Sequence, residues 1–313
     1  MKIYNYTPGV QIAEENTVVA LGFFDGVHAA HRCLLRKAKE ISETEGLAFA
    51  VFTFKSENSG LKGNSKIYST DEKLEILESI GTDVVFLADF PSVSGIDAEN
   101  FVKGALLSDM RCKVAVAGYD FRFGKGAKGN AALLASLFSE AGATCHIEEE
   151  QKINGEKISA TKIKELLKSG KIEEANRFLS APYFITAEVN HGKGLGKQLG
   201  FPTVNCNFKE QAALLKKGVY RTAVNVSGKL YSAVTNIGIC PTFDGGENLH
   251  AETYIIGYSG DLYGQKLKIF FLGYLREEKK FDAPNDLVMQ INVDKNMAIS
   301  QNGDLKWLET GLN

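Results

Sequence analysis

The first half of the chain alternates two hydrophobic periods. TVVALGFF (17–24), LAFAVFTF (47–54), VVFL (84–87) and KVAVAG (113–118) are short, almost uninterrupted apolar runs, which predict strands buried on both faces. Between them HRCLLRKAKEIS (31–42), DEKLEILESI (71–80) and AENFVKGALLSD (98–109) space their apolar residues near the helical period. This alternation predicts βαβ units around a parallel sheet, whose ligands bind beyond the C-terminal ends of the strands. The pattern changes near Pro182. YFITAEVN, GVYRTAVNV, KLYSAVTNIG, HAETYIIGY and KLKIFFLG are closely spaced and rich in β-branched residues, as in an antiparallel barrel or sandwich. Ser227-Gly228 between two of them fits a hairpin turn. The tail, 285–312, predicts a helix packing through Leu287, Ile291, Met297, Ile299 and Trp307. The expected fold is α/β plus β in two domains, 1–181 and 182–313, joined near 180–184.

Bulk properties narrow the function. A length of 313 residues fits two domains at about 150 residues each. A formal net charge of −2 provides no overall basic field for nucleic acid. No stretch approaches the roughly 18 apolar residues of a membrane span, and MKIYNYTPGV lacks the apolar segment of a secretory signal. Cys33, Cys112, Cys145, Cys206 and Cys240 are odd in number and form no CxxC pair, which argues against a disulfide framework or a zinc site. The expectation is a cytoplasmic protein with reduced thiols, a monomer or weak homo-oligomer, that acts on small molecules.

In LGFFDGVHAAH (21–31) a buried run ends, Asp25-Gly26 turns the chain, and a helix starts near His28. His28 and His31 share one face of its first turn. Helix N-termini favour phosphate, and imidazoles there can stabilise charge developing on a triphosphate; the spacing alone also allows a chance pair or a metal pair, the latter disfavoured because no third ligand of suitable type lies nearby in sequence. The segment resembles the GxFDGxHxGH signature of bifunctional riboflavin kinase/FMN adenylyltransferases, a branch of the HxGH nucleotidyltransferases. AGYDFRFGKGAKGN (117–130) and ISATKIKELLKSGKIEEANRFL (158–179) resemble that family's next two segments. The resemblance implies a Rossmann-like N-terminal domain in which His28 and His31 act on the ATP phosphates. It places Gly22, Phe24, Asp25, Gly26, Ser159, Thr161 and Lys162 around ATP, and Asp120 and Phe121 at the flavin. The chain departs from the pattern at Ala30, Ala160, Lys162 and Lys164, and in TFKSENSG (53–60).

HGKGLGKQLGFPTVN (191–205) interleaves Gly192, Gly194, Gly196 and Gly200 with Lys193 and Lys197. Glycines let backbone N–H groups approach phosphate, but no GxxxxGK[ST] is present and flexible glycine loops are common. LGKQLGFPTVN resembles the LGRxLGFPTAN segment of riboflavin kinases, and KKGVYRTAV (216–224), VTNIGICPTF (234–243), AETYII (251–256) and SGDLYGQKLKIFFLGYLREEKKF (259–281) continue the likeness in order. It implies a six-stranded antiparallel barrel. In it Gly192, Gly194, Gly196 and Lys197 cover the ATP phosphates and Thr203 and Asn205 hold Mg2+. Glu252 is then the catalytic base, and Arg276 lies beside the bound flavin or nucleotide. The expected chemistry is riboflavin plus ATP to FMN, then FMN plus ATP to FAD. The alternative, prompted by the departures, is a kinase with a weak or silent N-terminal domain.

Overall fold

The computed structural model describes residues 1–56, 66–190, 199–207, 214–241, 247–303, 305 and 308. Contacts divide the chain into two units, Met1–Ser159 and Ala160–Asn313. In the first, β1 (Lys2–Tyr6), β2 (Thr17–Leu21), β3 (Ala48–Phe54), β4 (Val84–Ala88), β5 (Cys112–Gly118) and β6 (Thr144–Glu148) form one parallel sheet, ordered β1-β4-β3-β2-β5-β6. The four inner strands are those the apolar runs predict. The edge strands KIYNY and TCHIE escaped that pattern because they are half exposed and correspondingly polar. The strand order reverses between β2 and β5, and the crevice beyond their C-terminal ends is where such a sheet takes a ligand.

Helices α1 (Ala29–Glu45), α2 (Thr70–Ser79) and α3 (Ala131–Glu140) cover the sheet. Ser69 and Glu72 close a reciprocal capping box that fixes where α2 starts. The helix expected at 98–109 becomes π-helical over Phe101–Asp109, closing with the Met110 N–H on the carbonyl of Ala105. Buried Asp109, at its end, accepts from the Tyr6 hydroxyl and the Gly9 N–H, both at 2.9 Å, and so ties down the N-terminal strand.

The second unit begins with α4 (Ala160–Lys168) and α5 (Ile172–Leu179). The amide of Asn176 in α5 donates to the carbonyl of Phe271 and accepts from the N–H of Tyr183, which fastens the helix to two strands. Strands β7 (Tyr183–Asn190), β8 (Thr203–Asn207), β9 (Gly218–Val226), β10 (Lys229–Pro241), β11 (Glu247–Ile255) and β12 (Lys266–Arg276) close an antiparallel barrel in the order β7-β8-β11-β10-β9-β12. The predicted hairpin turn is present: Ser227 (φ 51°) and Gly228 (φ 85°) connect β9 and β10, the two positive φ values of a primed turn. Thr222, Thr235 and Thr253 are fully buried, and their hydroxyls bond in sequence across β9, β10 and β11 at 2.9 and 3.0 Å. Side chains alternate along a strand, so Asn236 and Glu252 lie on the opposite, outer face.

The tail helix, α6 (Pro284–Asn302), corrects the expected packing. Met297 and Ile299 are 36% and 48% exposed, Leu287 and Ile291 are half-buried, and Trp307 lies outside the described residues. The buried positions are Asp294, Ala298 and Asn302. Ala298 packs on Val219 and Val234, with Ile256 and Leu275 against the same cluster, and polar contacts flank it. Arg276 reaches Asp294 with Nε at 3.1 Å and Nη2 at 2.7 Å, while Asn302 donates to the carbonyl of Thr222. The barrel surface here offers a guanidinium and a carbonyl, and the helix answers with a carboxylate and an amide. Removing one partner of a buried pair leaves the other charge desolvated. Asp294→Ala is therefore expected to destabilise the barrel by about 3 kcal/mol, whereas exposed Met297→Ser changes stability by less than about 0.5 kcal/mol. Urea unfolding of both variants checks this; equal effects would contradict it.

Candidate active sites

The chain passes from the end of β2 to α1 within seven residues, 22–28, and three of them have positive φ: Phe24 (52°), Gly26 (83°) and Val27 (39°). The fully buried Phe24 ring folds back over Gly22, where a Cβ would lie 2.9 Å from its Cζ. At Gly26 a Cβ would meet Ile67 at 2.7 Å, on a backbone that side chains avoid. Asp25 Oδ1 accepts from the Ile67 N–H at 2.9 Å. The Phe23 carbonyl accepts from the Thr53 hydroxyl at 2.9 Å and from Nζ of Lys73 at 3.4 Å. Lys73 is 1% exposed, and its ammonium also donates to the carbonyl of Phe54 and to Thr53 Oγ1. The reading of the sequence missed this residue. Its signal was helical spacing, which sets Lys73 on the same face as Ile76 and Leu77.

The turn delivers His28 as the N-cap of α1. Its Nδ1 accepts from the His31 N–H at 3.3 Å, so the neutral ring carries its proton on Nε2. The two imidazoles stack with centroids 3.6 Å apart and planes 12° apart, and the edge of Phe24 meets the His31 ring at 5.1 Å. Burial pushes His28 down to about 4, partly offset by the carboxylates of Asp25 and Asp120. Burial also holds His31 well below the ordinary imidazole range, helped by His28 and Lys73. Both rings are therefore neutral N–H donors near neutral pH. His31 Nδ1 is buried with no hydrogen-bond partner among the described residues. No acidic residue occupies the first turn of α1, so its positive end is left for an anion. Ala30 sits inside that turn, where the helical backbone makes no demand for glycine.

Across the crevice, beyond β5, Asp120 is exposed and paired with Lys157 at 3.0 Å; Lys157 also lies over the ring of Tyr119. This pair links the β5 end to the strand that leads into Ser159. Phe121 is half-buried and stacks on Phe123. Phe23, Phe54 and Phe90 form a partly exposed aromatic row, in contact at 5.7 and 5.5 Å, beyond β2, β3 and β4. Thr161 and Lys162 begin α4, in the second unit. Gly192, Gly194, Gly196 and Lys197, like residues 57–60, lie outside the described residues.

In the barrel, register does the positioning. Asn205 pairs with Glu252, and Glu252 pairs with Asn236 on the other side, so three polar side chains stand in a row across β8, β11 and β10. Thr203, two residues before Asn205, shares its face. Glu252 is about half exposed, and Asn205 is buried. Asn236 Nδ2 donates to Glu278 at 3.0 Å, and its Oδ1 is buried without a partner among the described residues. Asn236 and Glu278 were not singled out in the sequence, because only the strand register brings Asn236 beside Glu252, and Glu278 joins through Asn236. Arg276 is committed to Asp294 in this structure.

Comparison with known proteins gives two matches laid end to end. A family model described as FAD synthetase matches residues 10–162, and one described as riboflavin kinase matches residues 179–301. The bifunctional riboflavin kinase/FMN adenylyltransferase of Bacillus subtilis is 34% identical over 98% of this chain and 100% of its own length. That of Escherichia coli K12 is 32% identical over 91% and 92%. A crystal structure described as a macrolide-efflux protein from Streptococcus pneumoniae superposes with a TM-score of 0.87 at 27% identity, covering 97% of this chain and all of that one. That description stays with that protein; no described helix here is long and apolar enough to cross a membrane.

The neutral imidazoles carry a pH signature. Between about pH 6.5 and His28's value of about 4 the unfolded chain binds protons that the folded unit refuses, so this contribution is full above the window and is lost, by about 3 kcal/mol, as the pH falls through it. The stability gap between wild type and His28→Asn is expected to be wider at about pH 7.5 than at about pH 4.5 in denaturant titrations. A gap independent of pH contradicts the burial of this ring.

Proposed function

The chain belongs to the family of bifunctional riboflavin kinase/FMN adenylyltransferases, and from that premise we propose which residues carry each of its two reactions. Riboflavin and ATP give FMN and ADP; FMN and ATP then give FAD and pyrophosphate. Both family domains are present, and nothing favours a kinase alone.

For adenylyl transfer, the supporting observation is the stacked neutral pair His28 and His31 at the N-terminus of α1, beside the reversal in strand order. A phosphate oxygen of FMN attacks the α-phosphorus of ATP, and the bond to the bridging oxygen breaks. Charge builds on the departing pyrophosphate, where imidazole N–H groups and the helix end stabilise it. Neutral donors suit this step, since they bind the developing charge without holding the product as an ion pair. Gly22, Phe24, Asp25 and Gly26 act through the backbone path they impose. Ser159, Thr161 and Lys162 are assigned to phosphate, and Asp120 and Phe121 to the flavin, by motif. The aromatic row Phe23, Phe54 and Phe90 offers ring faces for an isoalloxazine.

For phosphoryl transfer, the row Asn205, Glu252 and Asn236 carries the reading. Glu252 takes the proton of the ribityl 5′-hydroxyl as that oxygen attacks the γ-phosphorus and ADP leaves. Thr203 Oγ1 and Asn205 Oδ1 are hard oxygen donors of the kind Mg2+ prefers. Bound there with ATP, Mg2+ would neutralise phosphate charge. Gly192, Gly194, Gly196 and Lys197 are assigned to the phosphates by motif, and Arg276 to the flavin only if it exchanges Asp294 for the ligand.

Product chromatography separates the two sites. Glu252→Gln is expected to lower FMN formation from riboflavin by about 10² or more while FAD still forms from supplied FMN. The double variant His28→Asn/His31→Asn is expected to lose FAD formation by about 10² or more and to accumulate FMN. Unimpaired FAD synthesis by the double variant would remove the histidines from the mechanism.

A further inference from the structure

The barrel site contains an imidazole that neither reaction requires. His250 stands two residues before Glu252 on β11, on the same face. The register sets it opposite Asn207 and diagonal to Asn205. Its Nε2 is 2.7 Å from Asn205 Oδ1 and 3.6 Å from Glu252 Oε1. Only the shorter distance is a hydrogen bond. An amide oxygen accepts, so the ring donates from Nε2, and it does so in the neutral and the protonated form alike.

The partner is a buried one. Asn205 is 7% exposed, and a desolvated amide costs free energy unless its atoms are bonded. An amide has two nearly isosteric orientations, one presenting oxygen and the other NH2 to a given point. The donor on His250 selects the orientation with oxygen towards β11, the side on which Glu252 stands directly opposite.

We propose that His250 is a positioning residue for phosphoryl transfer. It fixes the amide of Asn205 so that its oxygen, and not its NH2, shares one location with the Glu252 carboxylate, as a cation–phosphate site demands. The proposal rests on the roles given above to Asn205 and Glu252.

The measurement is binding of Mn2+, followed by electron paramagnetic resonance in the presence of ADP without turnover, paired with the Mg2+ dependence of riboflavin phosphorylation. His250→Leu removes the donor, His250→Gln keeps an N–H of similar reach, and thermal melts establish that each is folded. Loss of an outer hydrogen bond to a ligand is expected to weaken Mn2+ binding about tenfold in His250→Leu and to raise the Mg2+ requirement equally, with the defect in the cation requirement more than in kcat at saturation; His250→Gln recovers most of it. Unchanged cation binding in folded His250→Leu overturns the proposal. So does a loss of kcat without a shift in cation requirement, or, if His250→Leu does not fold, a His250→Gln variant whose cation binding is no better than that of His250→Asn, whose amide is too short to reach. Asn205→Ala separates the premise: if it phosphorylates normally, the assignment of Asn205 fails, whereas if it is impaired while His250→Leu binds Mn2+ normally, only the role of His250 fails.

Discussion

The ammonium of Lys73, held on the carbonyls of Phe23 and Phe54 and the hydroxyl of Thr53, fixes the end of the parallel sheet. Taking a cation out of water costs several kcal/mol unless donors and acceptors are matched, so these oxygens must stay where the ammonium needs them. They belong to the ends of β2 and β3, and α2 supplies the lysine. Three elements are thereby registered against one another at the point where the chain leaves β2. The turn with three positive φ values leads from there into His28, the N-cap of α1, with Phe24 against the ring of His31. The same charge helps keep His31 neutral.

In the proposed sites the two units would meet phosphate differently. The first uses backbone: a strained turn, a helix terminus without acidic residues, and two imidazoles that burial keeps uncharged. The second uses strand register, in which a two-residue period and a closed barrel set Asn205, Glu252 and Asn236 side by side. In the first, substitutions that alter backbone freedom, such as at Gly26, act on geometry; in the second, they act on side chains and on the hydrogen bonds between them. α6 completes the outer face through Asp294, Ala298 and Asn302, so buried polar pairs flank a small apolar cluster where an apolar stripe is usual.

Much of the fold was legible because its strands obey simple periods. The inner strands β2 to β5 and the Ser227-Gly228 turn could be read directly, whereas β1 and β6 could not, since an edge strand exposed on one side loses its apolar run. His28 and His31 stood out because they follow a strand and a glycine turn at a helix start, in a segment that resembles a family signature; the structure stacks them there. Lys73 was not, because a lysine in DEKLEIL reads as solvent-facing until the helix face it shares with Ile76 and Leu77 is shown to be buried. The same blindness applies to α6, where Met297 and Ile299 looked like core residues and a buried carboxylate proved to be the contact. Residues assembled only by register, Asn236 and His250 among them, carry no local signature at all.

The central claim, that one chain performs both transfers in sequence, is tested most directly by following isotope from ATP into flavin. With riboflavin and ATP labelled at the γ-phosphorus, label is expected first in FMN and then in FAD. With ATP labelled at the α-phosphorus, it is expected in FAD and never in FMN. Label from the γ position in FMN with none from the α position in any flavin product would contradict the account and leave the parallel-sheet unit without its reaction.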